Sequence, residues 1–313
     1  MLDRNDRIAD ATKVYDGTSD YNLPGGAKLV TPQASTPNEG IVSRDYKKIT
    51  FRLKNGVPGH FTKDAAGNRQ TPHVSEAQYV AYDIVAQTSD AANNPLTNYT
   101  FGSSGSPRDL ETVTDNDPAH ATAAGSITPA ALKAVTHEIE KVYDGLDIHT
   151  DGNGTAKKGD TVVSFEGWLT LADTRENTST AKYADQHVSR DAGGNIIKKN
   201  VTYEGQLTGQ YANDYQIVDD SNHVISTRSG SGAGQTVTAN LGEQSGKGTI
   251  TPRKLNIVMR EVEKPYDGTS KNTMGATVTE ITNAVASDNI TKETLSAKWN
   301  ALASAATAPA ESD

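Results

Sequence analysis

The sequence predicts an all-β protein, arranged as an elongated tandem array of β-sandwich-like repeat modules. Three observations lead to this fold class. The 313 residues include 27 glycines and 35% hydrophobic residues, and much of that apolar fraction is Val, Ile, Leu and Tyr set among Thr and Ser, as in half-buried strands. Several runs alternate between apolar and polar residues. A long segment also recurs at a constant offset, which is typical of repeat proteins.

The alternating runs supply the predicted strands. They are rich in β-branched residues, and Gly, Asn, Asp and Pro separate them at short intervals. Such punctuation favours a sandwich over alternating strand–helix units. The predicted strands cover residues 47–53, 77–86, 160–171, 200–207, 234–241 and 253–263.

The internal repeat defines the modules. The segment GSITPAALKAVTHEIEKVYDG (125–145) aligns without gaps on GTITPRKLNIVMREVEKPYDG (248–268), with 12 identities in 21 positions. A chain of this length also exceeds the roughly 100 to 150 residues of one typical domain. The sequence therefore predicts an N-terminal extension (1–10), two complete modules (11–131 and 132–254) and the truncated start of a third (255–313).

Each module opens on the same short motif, a lysine followed two residues later by Tyr-Asp-Gly. Glycine accepts a positive φ without steric cost and aspartate tolerates it, so the Asp-Gly pair favours a tight turn after a strand. We therefore interpret the motif as a structural corner. Its members are Lys13, Tyr15, Asp16 and Gly17, then Lys141, Tyr143, Asp144 and Gly145, then Lys264, Tyr266, Asp267 and Gly268.

Two further landmarks recur in order. KDAAGN (63–68) and RDAGGN (190–195) are typical of hairpin turns, in which Asp and Asn bond the local backbone. The segment from Ile127 to Tyr143 contains Pro129 and no later Gly or Pro before Gly145. It predicts one long strand that carries the chain out of one module and into the next, at about 3.3 Å per residue.

With the motif order Lys-x-Tyr-Asp-Gly, DAxGN, Asn-Tyr-Thr and Gly-x-Ile-Thr-Pro, the chain resembles the YDG-type repeat domains of large bacterial surface adhesins, the filamentous-haemagglutinin-like proteins. The resemblance covers nearly the whole chain. It implies an extracellular, cell-surface, non-catalytic role in adhesion or stalk formation, with an unidentified surface protein or glycan of a host or neighbouring cell as partner. Leu146 departs from the pattern, since Thr18 and Thr269 occupy its position in the other copies.

The repeated lysines raise a second hypothesis. Surface adhesins sometimes crosslink a first-strand lysine to a late-strand asparagine, and Asn98 and Asn213 would be the partners of Lys13, Lys141 and Lys264. The alternative is a lysine whose stem covers the motif tyrosine while its ammonium stays solvated. Each crosslink would release one ammonia, so intact mass distinguishes the two.

One loop offers oxygen ligands for calcium. In DIHTDGNGT (147–155), Asp147, Asp151 and Asn153 lie close together in sequence, but the loop lacks the terminal bidentate Glu of an EF-hand. A turn held by side-chain hydrogen bonds is the competing interpretation.

The alternative function is a carbohydrate-binding module of an extracellular enzyme, which would present aromatic rings as a glycan platform. Trp168, Tyr183, Tyr203 and Trp299 are the candidates. Trp299 lies in a tail whose spacing of Leu295, Trp299 and Leu302 favours a helix. The same tail matches TAKYAD of the second module, which favours a strand, so both remain open.

Composition and motifs exclude other classes. The chain has no cysteine and a formal net charge of −9 with scattered cations, so neither disulfides nor a nucleic-acid groove is predicted. Its apolar runs are far shorter than the ~20 residues that span a bilayer, so no membrane insertion is predicted. No phosphate-loop or nucleophile-elbow pattern is present, and the seven histidines lack metal-ligand spacing. The sequence predicts no enzyme and no cofactor.

Overall fold

The computed structural model of the chain is mostly β, with several sheets, which confirms the all-β prediction. It describes residues 11–22, 40–55, 57–101, 108–169, 175–261, 263–266, 268 and 277–306. The described residues fall into two compact units. Unit 1 is drawn from Met1–Ala134, Phe165–Glu176 and Leu207–Ala239, and unit 2 from Val135–Ser164, Asn177–Gln206 and Asn240–Asp313. Unit 1 thus contains residues of both complete sequence modules, and the module bounds remain a prediction.

The strands are numbered in chain order. They are β1 (Ala11–Val14), β2 (Asp20–Tyr21), β3 (Ile49–Leu53), β4 (Gly59–Thr62), β5 (Tyr79–Thr88), β6 (Thr100–Phe101), β7 (Arg108–Asp109), β8 (Ala119–Thr128), β9 (Ala130–Thr136), β10 (Ile139–Val142), β11 (Val163–Glu166), β12 (Arg175–Asn177), β13 (Thr180–Tyr183), β14 (Lys199–Gly209), β15 (Tyr215–Val218), β16 (Ser226–Ser229), β17 (Thr236–Thr251), β18 (Asn256–Met259) and β19 (Val278–Thr282). Short 3₁₀ helices lie at Pro95–Asn98, Leu110–Thr112, Gly159–Thr161, Ala212–Asp214, Gly232–Gly234 and Ala286–Asp288.

The main sheet of unit 1 has the order β1-β8-β5-β4-β2, and β3 also pairs with β5. β5 pairs antiparallel with β8, from Tyr79 opposite Ala124 to Ile84 opposite Ala119. Residues 80–82 and 84–86 of β5 are all buried, so both faces of this strand are covered and its burial does not follow the period-two pattern. The fully buried positions include Ile49, Phe61, Val80 and Ala81. Unit 1 also contains the parallel pair of β15 and β9, in which Tyr215 lies opposite Ala130.

Unit 2 contains the antiparallel pair of β13 and β14, in which Tyr183 lies opposite Val201. It also contains the parallel pair of β10 and the C-terminal part of β17. Apolar side chains from these strands form its core, including Tyr183, Val201, Tyr203 and Ile250, all of them essentially inaccessible to solvent. β18 and β19 form a separate two-stranded antiparallel sheet.

The predicted strands are observed at most of the predicted places, with shorter bounds in two of them. β3, β5, β14 and β17 lie where alternation predicts them. The run 160–171 is a strand only over Val163–Glu166, because a 3₁₀ helix occupies Gly159–Thr161 and Gly167 has a φ of 101°. The run 253–263 is a strand only over Asn256–Met259.

The prediction of one long strand from Ile127 to Tyr143 is wrong. Three strands, β8, β9 and β10, share this segment. Pro129 separates the first two, since proline has no N–H for the ladder and a restricted φ. The second break lies at His137, whose N–H donates to the Val162 carbonyl at 3.0 Å and whose carbonyl accepts the Tyr203 hydroxyl. The chain is therefore redirected by hydrogen bonds that periodicity does not reveal.

The C-terminal tail is helical, which decides between the two alternatives of the sequence. Helix α1 covers Lys292–Ala306. Thr291 caps it, since its Oγ1 accepts the Thr294 N–H at 3.2 Å, as an N-cap residue does. Glu293 in the first turn complements the helix dipole. Among the described residues, no helix is both long enough and apolar enough to cross a membrane.

The two DAxGN turns are confirmed. Asp64 Oδ1 accepts the Asn68 N–H at 3.3 Å, and Asp191 Oδ1 accepts the Asn195 N–H at 2.8 Å. The glycine before each asparagine has a positive φ, 77° at Gly67 and 83° at Gly194. Both segments are turns closed by their own side chains, as predicted.

Candidate functional site

The Lys-x-Tyr-Asp-Gly motif lies at the end of a parallel strand pair in each unit. In unit 1, β1 pairs with the end of β8, so that Lys13 lies opposite Ile127. In unit 2, β10 pairs with the end of β17, so that Lys141 lies opposite Ile250. The motif strand thus pairs with the Gly-x-Ile-Thr-Pro strand, about 110 residues later in the chain, in the same register both times.

The same hydrogen bonds close the pair in both units. The Tyr15 N–H donates to the Thr128 carbonyl at 2.7 Å, and the Tyr143 N–H donates to the Thr251 carbonyl at 2.8 Å. Each threonine hydroxyl also donates at 3.2 Å to the carbonyl of the motif lysine. The threonine of Ile-Thr-Pro therefore bonds to the lysine and tyrosine main chain in both copies.

The first motif lysine is held by the turn that follows it. Lys13 Nζ donates to Asp16 Oδ1 at 2.7 Å, to the Thr18 carbonyl at 2.7 Å and to the Asp20 carbonyl at 2.8 Å. Asp16 in turn accepts the Thr18 N–H at 2.9 Å. The three acceptors around this ammonium group therefore lie three, five and seven residues after the lysine.

The second motif lysine repeats these offsets in a fully buried form. Lys141 Nζ donates to Asp144 Oδ1 at 2.6 Å, to the Leu146 carbonyl at 2.6 Å and to the Ile148 carbonyl at 2.9 Å. The exposed fraction is 0% for the lysine side chain and 4% for that of Asp144. Thr150 donates its hydroxyl to the other carboxylate oxygen. In unit 1 the Thr18 hydroxyl donates to the motif aspartate. Leu146 occupies the same position in unit 2 and has no hydroxyl, so Thr150 supplies this hydrogen bond.

The alternative of a solvated ammonium is wrong for Lys13 and Lys141, because each ammonium is held by the acceptors of its own turn. An aromatic ring from another strand lies near each ammonium, with Lys13 Nζ 5.9 Å from the Phe61 centroid and Lys141 Nζ 5.5 Å from the Tyr183 centroid. Phe61 and Tyr183 both precede the DAxGN turns, but Phe61 lies 3 residues before Asp64 and Tyr183 lies 8 before Asp191, so no fixed spacing identifies them from the sequence. The lysine ammonium can be buried because the turn supplies a carboxylate and two carbonyls as its hydrogen-bond acceptors.

The glycine of Gly-x-Ile-Thr-Pro lies beneath the same rings. A Cβ on Gly125 would lie 3.0 Å from Phe61 Cε1, and one on Gly248 would lie 2.6 Å from Tyr183 Cε1. Because glycine has no side chain, the ring can approach β8 in unit 1 and β17 in unit 2 at that point. The lysine, the aspartate, the aromatic ring and the glycine lie together, and we call this group the lysine corner. Its members are Lys13, Asp16, Phe61 and Gly125 in unit 1, and Lys141, Asp144, Tyr183 and Gly248 in unit 2.

Electrostatics keep the corner charged. Burial alone would raise the pKa of Asp144, but hydrogen bonds from Lys141, Thr150 and the Leu146 N–H outweigh it and hold that pKa below its ordinary value. The pKa of Asp16 is lowered in the same way, with hydrogen bonds from Lys13 and Thr18 opposing the effect of burial. Both carboxylates are anions at neutral pH, so each ammonium has a charged partner.

The Asp-Gly turn of the motif is confirmed in the first two copies. Gly17 and Gly145 each have a φ of 80°, and Gly268 has a φ of 77°. In the third copy Lys264, Tyr266 and Gly268 are described, whereas Asp267 lies outside the described residues.

The motif tyrosines have three different environments. Tyr15 is buried against Tyr215, with ring centroids 5.6 Å apart and planes at 74°. The Tyr143 hydroxyl donates to Asp288 Oδ1 at 2.6 Å, and this bond, with burial, raises the pKa of Tyr143 to about 12. Tyr266 is 96% exposed.

A buried polar cluster beside Tyr15 was not found from the sequence. Asp214 is buried and lies 2.8 Å from His73 Nδ1, while its second oxygen accepts the Val74 N–H at 2.8 Å. The His73 ring stacks on Tyr211 with centroids 3.4 Å apart. The partners are separated by 141 residues, so local patterns carry no sign of the cluster.

The lysines donate to the acceptors of their own turns, so neither Lys13 nor Lys141 is observed bonded to an asparagine. Asn98 ends the 3₁₀ helix Pro95–Asn98, and the Asn213 N–H donates to Gln235 Oε1 at 3.2 Å. A crosslink at Lys13, Lys141 or Lys264 stays a prediction that intact mass would test.

The calcium candidates have other partners. Asp147 pairs with Lys182 at 2.8 Å. Asp151 Oδ1 accepts the N–H groups of Asn153 and Thr155 at 2.8 and 3.2 Å, which closes the loop as a turn. In the part of the chain that the structure describes, no three His, Cys, Asp or Glu side chains are grouped to hold a metal ion.

Two of the glycan-platform residues are corrected by their burial. Tyr183 and Tyr203 are 1% and 0% exposed, so neither presents a ring face to a sugar. Both are core residues because alternate positions of β13 and β14 face inward. Trp168 is 37% exposed and packs edge-on against Tyr215, with centroids 5.1 Å apart. Trp299 is exposed on α1, and the carbohydrate-binding alternative depends on these two tryptophans.

A buried histidine gives unit 2 a pH dependence. Burial, together with the charges of Lys157 and Lys141, lowers the pKa of His149 to about 4. An unfolded imidazole takes up its proton near pH 6.5, so the free energy of unfolding falls as the pH drops below that value, until the folded pKa is reached. We expect a loss of about 2 kcal/mol between pH 7 and pH 5, measured by urea denaturation with hydrogen exchange of β13 peptides.

His149→Gln is the control for this pH dependence. It keeps a polar group near the Tyr183 hydroxyl, which lies 3.3 Å from His149 Nδ1, but does not titrate. The loss between pH 7 and pH 5 should nearly vanish in this variant. An unchanged loss would assign the pH dependence to other groups.

Comparisons with protein-family models, curated proteins and solved structures found no match for the chain.

Proposed function

We propose that the chain is a non-catalytic, load-bearing segment of the stalk of a large bacterial cell-surface adhesin. In this role it projects binding surfaces outside the cell towards a protein or glycan of a host or neighbouring cell. The resemblance to YDG-type repeats supports the cellular setting. The parallel pairing of the first and last strands of each repeat supports the mechanical role and is the observation that carries the proposal.

The direction of the paired strands determines how tension would act on them. The chain enters unit 2's pair at Ile139, opposite Gly248, and leaves it at Thr251, opposite Val142. In a parallel pair these points lie at opposite ends, so tension between them loads the evenly spaced interstrand bonds together, in shear. Ala11 and Thr128 are related in the same way in unit 1. Resistance to shear is the property that a stalk needs.

The lysine corner reinforces this pair. Lys141 lies on the first strand and its ammonium is tied to three acceptors in the following turn. The turn is itself bonded to β13, since the Tyr183 N–H donates to the Asp147 carbonyl at 2.7 Å, so sliding β10 along β17 would pull the ammonium away from the turn and past the Tyr183 ring. Since an unpaired buried charge is costly, the corner opposes the movement that shear imposes.

The tyrosine contacts support a tandem arrangement. Tyr15 of the first sequence module contacts Tyr215 of the second. Tyr143 of the second module bonds to Asp288, which follows the third motif. We therefore propose that the opening corner of each module contacts the module that follows it in sequence.

Single-molecule force spectroscopy tests the mechanical role. The chain has no cysteine, so a pair of introduced cysteines defines the pulling points. Glu138→Cys with Lys254→Cys places the handles at opposite ends of the β10–β17 pair. We expect a high unfolding force, because forced unfolding depends on the unfolding rate and all bonds of the pair must break together.

The matched control is Glu138→Cys with Lys247→Cys. These positions flank Ile139 and Gly248, which lie opposite each other, so pulling separates the strands one bond at a time. The force should be severalfold lower in this geometry. Equal forces in the two geometries would contradict a load-bearing role for the pair.

A further inference from the structure

The segment 253–256, which leads into β18, lacks a parallel partner strand in the described parts of the chain, whereas its counterpart in the second module has one. The gapless alignment of the repeat places residues 253–259 on residues 130–136, which form β9. β9 lies between two strands, in the order β11-β9-β15. Within the described parts of the chain, β18 pairs with β19 alone. The residues that β15 covers in β9, Ala130–Lys133, correspond to Arg253–Asn256.

The strand β15 shows what such an edge accepts. Its residues Tyr215, Gln216, Ile217 and Val218 pair in parallel with β9. Tyr215 and Ile217 are fully buried. The Tyr215 ring packs against the motif tyrosine Tyr15 and against Trp168. An aromatic residue at the start of the strand therefore contacts the motif tyrosine.

Unit 2 has a groove at the corresponding place. The motif tyrosine there is Tyr143, which lines a groove of about 340 Å³ together with Arg253, Leu255, Val285 and Ile290. The groove thus extends from the motif tyrosine Tyr143 to the segment 253–256. In unit 1 the Tyr215 side chain occupies the comparable place, since Tyr215 pairs with β9 and contacts Tyr15. Beside it, β18 exposes further apolar side chains, those of Ile257, Val258 and Met259.

Charge gives a second indication of the occupant. The segment that contains β15 reads NDYQIVDD (213–220), so acidic residues flank its apolar core. The open edge carries Arg253 and Lys254. The Arg253 guanidinium donates to the carbonyls of Asn283 and Gly152, at 2.7 and 2.9 Å. Arg253 is thus engaged with main-chain carbonyls and Asp288 also lines the groove, so Lys254 is the cation that an acidic flank of a bound peptide would meet.

We propose that Arg253–Asn256 and the adjoining groove form a strand-acceptor site for an extended peptide with an aromatic residue followed by alternating apolar residues and acidic flanks. The peptide adds in parallel to the edge, which supplies main-chain hydrogen bonds, and its aromatic ring enters the groove against Tyr143. This binding activity does not depend on the load-bearing role, because it uses an edge outside the β10–β17 pair.

A synthetic peptide with the sequence of residues 213–220 and an N-terminal fluorophore tests the proposal on the full chain. Fluorescence anisotropy should show saturable binding. A scrambled peptide should bind at least about tenfold more weakly, and so should one in which the residue equivalent to Tyr215 is alanine, since about 1.4 kcal/mol corresponds to tenfold. Binding of the scrambled peptide with equal affinity would overturn the proposal.

Proline variants locate the site. Successive N–H groups of an extended segment point to opposite edges, so either Lys254→Pro or Leu255→Pro removes a donor to the incoming strand. One of the two should lose binding, whereas Lys254→Ala, which removes the charge but keeps the N–H, should weaken binding only in part. Hydrogen exchange of β10 and β17 checks that the variants stay folded. Wild-type binding by both proline variants, or self-association of the chain through this edge without peptide binding, would overturn the proposal.

Discussion

Lys141→Met should lower the free energy of unfolding of unit 2 by about 3 to 5 kcal/mol, the usual cost of removing one partner from a buried ion pair. Methionine fills much of the space but supplies no donor. The Asp144 side chain, which is 4% exposed, then loses its charged partner. The carbonyls of Leu146 and Ile148 lose their hydrogen-bond donor. Urea denaturation measures the loss, and hydrogen exchange of β10 and β17 locates it.

Lys182→Met is the matched control for this variant. Lys182 also pairs with an aspartate, Asp147, at 2.8 Å, but the two side chains are 61% and 37% exposed. Exposed ion pairs contribute about 1 kcal/mol or less. Equal losses in Lys141→Met and Lys182→Met would show that the buried corner contributes no more than an ordinary surface pair.

Lys13→Met extends the comparison to unit 1. The first corner has the same offsets, but its Asp16 side chain is 55% exposed, so water can replace the ammonium there. We expect a loss of about 1 kcal/mol, as for one net hydrogen bond. The order Lys141, Lys13, Lys182 is therefore the expected order of destabilisation.

The elements that local rules govern were predictable. Alternation located β3, β5 and β14, and turn chemistry identified both DAxGN hairpins and the positive φ of Gly17 and Gly145. These features depend on residues within a few positions of one another, where propensity and side-chain hydrogen bonds decide the conformation.

The long-range features were not predictable. The role of Lys141 depends on a chain reversal that returns the carbonyls of Leu146 and Ile148 to its ammonium. Tyr183 was interpreted as a surface ring because its residue type suits both a platform and a core. Its burial depends on pairing with β14 and on close approach to Gly248, and neither partner is adjacent in sequence.

Gly248→Ala should be the second strongly destabilising change, at about 3 kcal/mol, near the upper end of ordinary overpacking. A Cβ at this position would lie 2.5 Å from Val201 Cγ2 and 2.6 Å from Tyr183 Cε1. Both side chains are fully buried, so neither can move aside into solvent. Displacing the Tyr183 ring would also remove it from the Lys141 ammonium, 5.5 Å away.

Two other glycines calibrate this expectation in thermal or urea denaturation. A Cβ on Gly125 would meet Phe61 Cε1 at 3.0 Å, so Gly125→Ala should cost less, about 1 kcal/mol. A Cβ on Gly234 would meet nothing within 4 Å, so Gly234→Ala should be nearly neutral. Because all three changes add the same methyl group, the order 248, 125, 234 isolates the effect of packing beneath the ring. If Gly248→Ala were as stable as Gly234→Ala, the Tyr183 ring could not lie against β17. Tyr183 would then not belong to the lysine corner.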